Sequence, residues 1–188
     1  MIIFKKISSI LYSPRFLLVT NTTTGVIFFG TGDVCIQKLI ERKKQVERKR
    51  LVNSCIAGSY MGFVSHFWYI FLDRIFIGKT RRIILKKLMC EALVGPPFAA
   101  SMFFVVGKLN HKNNHEIQSE VKTNFKYLMM VDWGFYIPLQ YFNFQYLPTK
   151  FRVLYVSILS LVYDTFLVYI LNKNLQILQN PLKTIDDK

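Results

Sequence analysis

The chain has 188 residues, 52% hydrophobic, 15% aromatic and only 19% charged, with a mean hydropathy of +0.26. Length and composition fit one membrane domain and exclude an ordinary soluble one, which carries more charge. Its 25 basic and 11 acidic residues give a net charge of +14, which favours membrane lipid with anionic head groups as the partner; direct RNA contact is the weaker alternative, because no aromatic-plus-basic RNA module is visible.

Residues 1–15 hold Lys5, Lys6, Arg15 and three serines, and no acid precedes Asp33. This suits a mitochondrial targeting segment, and equally the basic flank of a first membrane helix. A first span is expected over about 16–40, diluted by Thr20 to Thr24. There Gly25, Phe29, Asp33 and Gln37 recur every four residues and put an acid and an amide on one helix face. Asn21-Thr22-Thr23 matches a glycosylation sequon and is read as chance. The connector that follows, ERKKQVERKR, has six basic residues in ten: Arg42, Lys43, Lys44, Arg48, Lys49 and Arg50. It reads as a solvated charge run that signals topology, with contact to lipid or RNA as the alternative.

A second span is expected over 51–77. Ser54, Gly58, Gly62 and His66 stand four apart, and Gly58 with Gly62 makes a GxxxG ridge that lets another helix approach closely. His66 and Asp73 share a face near the far end; without a nucleophile motif beside them, they read as interhelical hydrogen-bonding groups. After a basic connector, Gly78 to Lys87, a third span is expected over 88–106. Gly95-Pro96-Pro97 predicts a kinked or broken helix at Pro97, one turn beyond Glu91. Lys108 to Lys126 is the most polar connector and reads as a solvated loop. Its His111 and His115 have the spacing of a zinc pair but no third ligand.

The fourth and fifth spans, about 125–146 and 153–171, form a hairpin around Pro148-Thr149-Lys150. In its first limb Asp132, Tyr136, Gln140 and Asn143 share one helix face, and Pro138 removes the hydrogen bond to the Gly134 carbonyl. The second limb matches it with Ser157, Ser160 and Asp164, and residues 172–188 are a polar tail. Cys35, Cys55 and Cys90 form no CxxC pair and read as packing thiols.

Five of the 11 acids, Asp33, Asp73, Glu91, Asp132 and Asp164, lie in or at the rims of apolar segments. An ionised carboxylate at bilayer centre costs at least roughly 2.5 kcal/mol, so these acids must face each other, rim cations or water. The expected fold is all-α, a polytopic membrane helical bundle with four to five spans. Its polar interior would be lined by Asp33, Gln37, His66, Asp73, Glu91, Asp132, Gln140, Asn143 and Asp164. A water-filled pore and a hydrogen-bonded bundle both satisfy that lining, and the large Tyr and Phe side chains favour the bundle. No phosphate loop, GxSxG, dinucleotide fingerprint or metal-ligand set is present, so no catalytic, cofactor or metal residue is assigned and no enzyme is expected. Basic residues in successive connectors leave the orientation open.

The chain resembles the Mpv-seventeen and peroxisomal membrane protein (twenty-two kDa) family from about Phe16 to Leu171. The resemblance is carried in order by Leu17 to Thr22, Gly32-Asp33 with Gln37, His66 with Trp68-Tyr69, Leu72-Asp73-Arg74, and Lys86-Lys87 before Glu91. Asp132-Trp133, Gln140, Asn143-Phe144, Pro148, Phe151-Arg152-Val153 and Asp164 continue it. The family's Trp-Pro of the first hairpin limb is Tyr136-Ile137 here, with the proline one place on at Pro138. The resemblance implies a small non-enzymatic protein of an organelle membrane, described for the family with four spans. It is closest to the branch associated with mitochondrial ribosome assembly, which makes the mitochondrial ribosome a candidate partner beside a second copy of the chain. Small-solute channels are the family's other association. The basic N-terminus favours the mitochondrial inner membrane over the peroxisomal membrane.

Overall fold

The computed structural model describes residues 9–162, with the side chains of residues 127, 128, 131 and 132 outside that description. Among the described residues the fold is all-α, as expected. Helix α1, Leu17–Cys35, ends in a π-helical turn, Ile36–Ile40. Helices α2, Arg48–Ile75, and α3, Arg81–Leu109, follow. Helix α4, Asn114–Val131, passes through a second π turn, Asp132–Tyr136, into α5, Ile137–Tyr146. Helix α6 covers residues 149–162. Helices α2 and α3 are each long and apolar enough to cross a membrane.

Successive helices run antiparallel. The connectors 41–47 and 110–113 therefore lie at one end of the bundle, the connector end, and 76–80 and 147–148 at the other, the hairpin end. Gly78, at φ +111°, makes the turn between α2 and α3, a left-handed conformation that side chains with a Cβ resist. Tyr12 packs its ring on Phe151, centroids 4.6 Å apart, which places the entry to α1 at the hairpin end.

The burial pattern is inverted relative to a soluble protein. Gln37, Asn143, Gln140, Lys87 and Arg152 are all buried. Phe63, Phe67, Phe71, Met89 and Leu93 are exposed, Leu93 at 74%. A surrounding hydrocarbon phase makes such an apolar exterior favourable, and the same phase drives polar groups to pair inside. The apolar core sits at the hairpin end, where Tyr69 and Leu72 of α2, Ile84 and Leu88 of α3, Phe144 of α5 and Val153 and Val156 of α6 meet.

One local expectation narrows and two change. Of the kinked or broken helix expected at Gly95-Pro96-Pro97, the break does not occur: α3 runs through Pro96 and Pro97. Pro96 has no N–H to offer the Ala92 carbonyl, and Trp133 of the second π turn supplies a donor instead, its Nε1 3.2 Å from that oxygen. The polar stretch read as a solvated loop is helical from Asn114. A reciprocal cap starts it: Glu116 N–H donates to Asn113 Oδ1 at 2.9 Å, and Asn113 N–H donates to Glu116 Oε2 at 3.0 Å. The run 41–50 is not wholly solvated. Arg50 turns inward to Asp33 at 2.7 Å and to Glu41 at 2.7 Å, and Lys43 pairs with Glu41 and Glu47.

Candidate functional site

Helices α1 and α2 pack at backbone distance along the small-residue ridge. A Cβ on Gly58 would lie 2.3 Å from the Gly25 carbonyl oxygen, and one on Gly62 would lie 2.4 Å from that of Asn21. Both obstacles are main chain, so only glycine fits at either position. This contact also places Asn21 beside His66, and Asn21 Nδ2 donates to His66 Nδ1 at 3.0 Å. At the connector end, Gln37 Nε2 donates to Asp33 Oδ2 at 2.7 Å while its Oε1 accepts from the Glu47 N–H.

On the other face of α2 the packing is open. A cavity of about 340 Å³ lies between α2, α3, α5 and α6, reached also by Phe29 of α1. Its wall is mainly apolar, with Met61, Val64, Phe98 and Phe103 among its members. Polar groups enter it in bonded pairs. Trp68 Nε1 donates to Glu91 Oε1 at 2.9 Å, and Gln140 Nε2 donates to the Tyr69 hydroxyl at 2.8 Å. The hydroxyls of Tyr136 and Ser160 are 3.0 Å apart. Asn143, behind Gln140, donates to its Oε1 at 2.6 Å. Near the middle of α2, Tyr60 donates to Ser101 of α3 at 2.8 Å.

One helical turn beyond Tyr69, toward the hairpin end, an ionic cluster closes the bundle. Asp73 accepts from Lys87 at 2.5 Å, from Arg152 Nη1 at 2.6 Å and from the Thr149 hydroxyl. The Lys87 ammonium and the Arg152 guanidinium lie 5.8 and 4.9 Å from the Phe144 ring centre. Arg152 Nε is buried without a hydrogen-bond partner among the described residues. One carboxylate thus ties α2, α3 and α6 together through two buried cations.

The expected polar lining therefore divides. Only Glu91 and Gln140 face the cavity. Asp33, Gln37, His66, Asp73 and Asn143 sit in separate hydrogen-bonded clusters. His66 and Asp73 do not act together, since each has its own partners. Asp164 lies outside the described residues, as does the Asp132 side chain. Pro138 opens α5 directly after the second π turn, where the hydrogen-bond ladder already shifts register. In the basic connector, Arg42, Lys44, Arg48 and Lys49 are exposed, whereas Lys43 and Arg50 are committed to acids. Burial raises the cost of the Glu41 charge, but hydrogen bonds and charge from Arg50 and Lys43 outweigh it and hold this carboxyl below its ordinary value. Residue patterns had pointed to Ser160, in the polar stripe of the last span, but gave no site role to Asn21, Trp68, Tyr69 or the Lys87–Arg152 pair. No group of three metal-ligating side chains occurs among the described residues.

The hairpin half of this architecture, residues 107–168, matches the profile of the Mpv17 / PMP22 family. Over 161 residues the chain is 30% identical to PXMP2/4 family protein 2 of Dictyostelium discoideum, covering 81% of this chain and 83% of that one. The chain belongs to the Mpv17 / PMP22 family. It is 28% identical to the peroxisomal membrane protein PMP22 of Arabidopsis thaliana, over 79% of this chain and 80% of that one. It is likewise 28% identical to the mitochondrial inner membrane protein Mpv17 of Xenopus laevis, over 77% and 84%. The last two relatives are named as membrane proteins of the two organelles that the sequence brought into question, and none of the three names denotes an enzyme. No solved structure matches the chain.

Proposed function

We propose that this family member is a gated, non-enzymatic pathway for small solutes across an organelle membrane. The mitochondrial inner membrane is the first assignment and the peroxisomal membrane the second. The observation that carries the reading is the cavity of about 340 Å³, placed among the helices of an inside-out bundle. Its size is that of a small-ligand site. The Tyr60–Ser101 bond joins α2 and α3 beside its wall, and the Asp73 cluster lies one turn beyond Tyr69 toward the hairpin end. Basic Lys5, Lys6 and Arg15 support the mitochondrial assignment, as do the relatives named for that membrane. Purified protein in liposomes should release trapped small solutes faster than protein-free liposomes. Equal release with and without protein overturns the reading.

The second reading is support of mitochondrial gene expression through ribosome contact. Exposed Arg42, Lys44, Arg48 and Lys49 favour it. A tether using both basic connectors is disfavoured, because 41–50 and 78–87 lie at opposite ends of α2, whose 28 residues span about 42 Å. A ribosome contact would therefore use one connector alone. Changing those four cations to Gln should abolish low-salt co-sedimentation with ribosomes if that contact exists; unchanged co-sedimentation removes the reading.

A further inference from the structure

We infer that the hairpin end of the bundle is a docking surface for anionic phospholipid head groups. This goes beyond the solute pathway and does not depend on it. Six cations stand exposed at that end: Arg74 in the last turn of α2, Lys79 in the connector, Arg81, Arg82 and Lys86 at the start of α3, and Lys150 at the start of α6. Among the described residues Asp73 is the one acid at that end, and it is committed to Lys87, Arg152 and Thr149 inside the bundle. The exposed cations are left without a carboxylate of their own.

The connector end is built differently. There Lys43 and Arg50 pair with Glu41, Glu47 and Asp33, and Lys112 pairs with Glu120, so part of the positive charge is offset within the chain. At the hairpin end the like charges repel one another until something negative lies against them. Arg81 and Arg82 open α3, whose first turn holds no acid, so the positive end of that helix dipole adds to their charge instead of offsetting it. Beside the cations runs an apolar collar, Phe71, Ile75, Ile77 and Leu85, all exposed and Ile77 at 80%. A collar seated in hydrocarbon puts the neighbouring Lys and Arg at the depth of the lipid phosphates. A phospholipid matches both features at once, phosphate to cation and acyl chain to collar. A nucleic acid matches only the first.

The test uses the full-length protein in phosphatidylcholine liposomes, with spin-labelled phosphatidylglycerol or phosphatidylcholine added as the probe and the lipid immobilised on the protein read from the spectrum. Phosphatidylglycerol should be held at least about threefold more strongly than phosphatidylcholine at low salt, and the preference should shrink as salt rises. The fourfold variant Lys79→Gln, Arg81→Gln, Arg82→Gln, Lys86→Gln should lose most of the preference. The connector-end variant Arg42→Gln, Lys44→Gln, Arg48→Gln, Lys49→Gln should keep most of it. Equal retention of the two lipids overturns the inference, and so does a preference that survives in the folded hairpin-end variant or disappears only in the connector-end one. Should the fourfold variant not fold, Arg81→Gln with Arg82→Gln must lower the preference, and no change in that pair overturns it equally. Absence of lipid preference together with binding of a single-stranded RNA oligomer that the hairpin-end variant loses would overturn it in favour of nucleic acid.

Discussion

The two faces of α2 are built on opposite plans. Toward α1 it is closed: Gly58 and Gly62 meet the main chain of Gly25 and Asn21 with no room for a single added carbon. Toward α3, α5 and α6 it is held by long polar side chains around a cavity, from Tyr60 with Ser101 to Asp73 with Lys87 and Arg152. Backbone contact is fixed in geometry and cannot open by degrees, whereas a neutral side-chain bond such as Tyr60 to Ser101 exchanges partners at small cost and the buried Asp73 ion cluster only at large cost. On the proposed reading as a solute pathway, the α1–α2 pair is the rigid part and the other helices move.

The largest expected effect comes from breaking the polar side at its hub. Asp73→Ala leaves Lys87 and Arg152 buried beside each other and should destabilise the protein by about 3–5 kcal/mol, read as lowered thermal unfolding in detergent. An unchanged melting temperature would mean that the cluster is open to water. Next is the closed side. Gly58→Ala places a methyl group against the Gly25 carbonyl and should cost about 1–3 kcal/mol, because main chain cannot step aside as a side chain can. A neutral result would mean that α1 and α2 can slide apart. Smaller again is Trp133→Phe, which takes the donor from the Ala92 carbonyl that Pro96 leaves open. A loss of about 1 kcal/mol is expected, and restoring an ordinary helix with Pro96→Ala should suppress it.

The smallest effect lies at the connector end and depends on pH. Because Arg50 and Lys43 hold Glu41 below its ordinary value, the pair stabilises the fold above the unfolded-state value. That contribution fades as pH falls through the folded-state value. Glu41→Gln should therefore lower thermal stability slightly at neutral pH and match the unaltered protein once acid has protonated Glu41. A difference that persists in acid would assign the effect to packing.

The closed side was readable in the sequence, because a GxxxG at helical spacing states a geometric fact about one face, and the facing Gly25 recurs in register with Asp33 and Gln37. The open side was legible only as a polar stripe. Periodicity places Gln140 and Asn143 on one face, but it does not say that they bond to each other and to Tyr69 rather than to water. Lys87 read as the end of a basic connector, since charge on an apolar segment's flank is usually solvated, and Arg152 had no reading beyond the family resemblance; the burial of both depends on Asp73, 79 positions from Arg152. The cap of α4 was present as Asn113-x-x-Glu116 and was outweighed by the polarity around it. Neither π turn has a local signature in residue type, and the bond from Trp133 to Ala92 exists only once two distant helices meet.

The most direct test fills the cavity and leaves the rest alone. Ala99 lines the cavity, while Leu93 on the same helix faces outward. Solute release should be compared for liposomes carrying unaltered protein, Ala99→Leu and Leu93→Phe, with thermal unfolding measured in parallel. If the cavity is the solute pathway, Ala99→Leu slows release several-fold with stability within about 1 kcal/mol of the unaltered protein, and Leu93→Phe leaves both unchanged. Release unaffected by Ala99→Leu in a folded protein would contradict a route through this cavity.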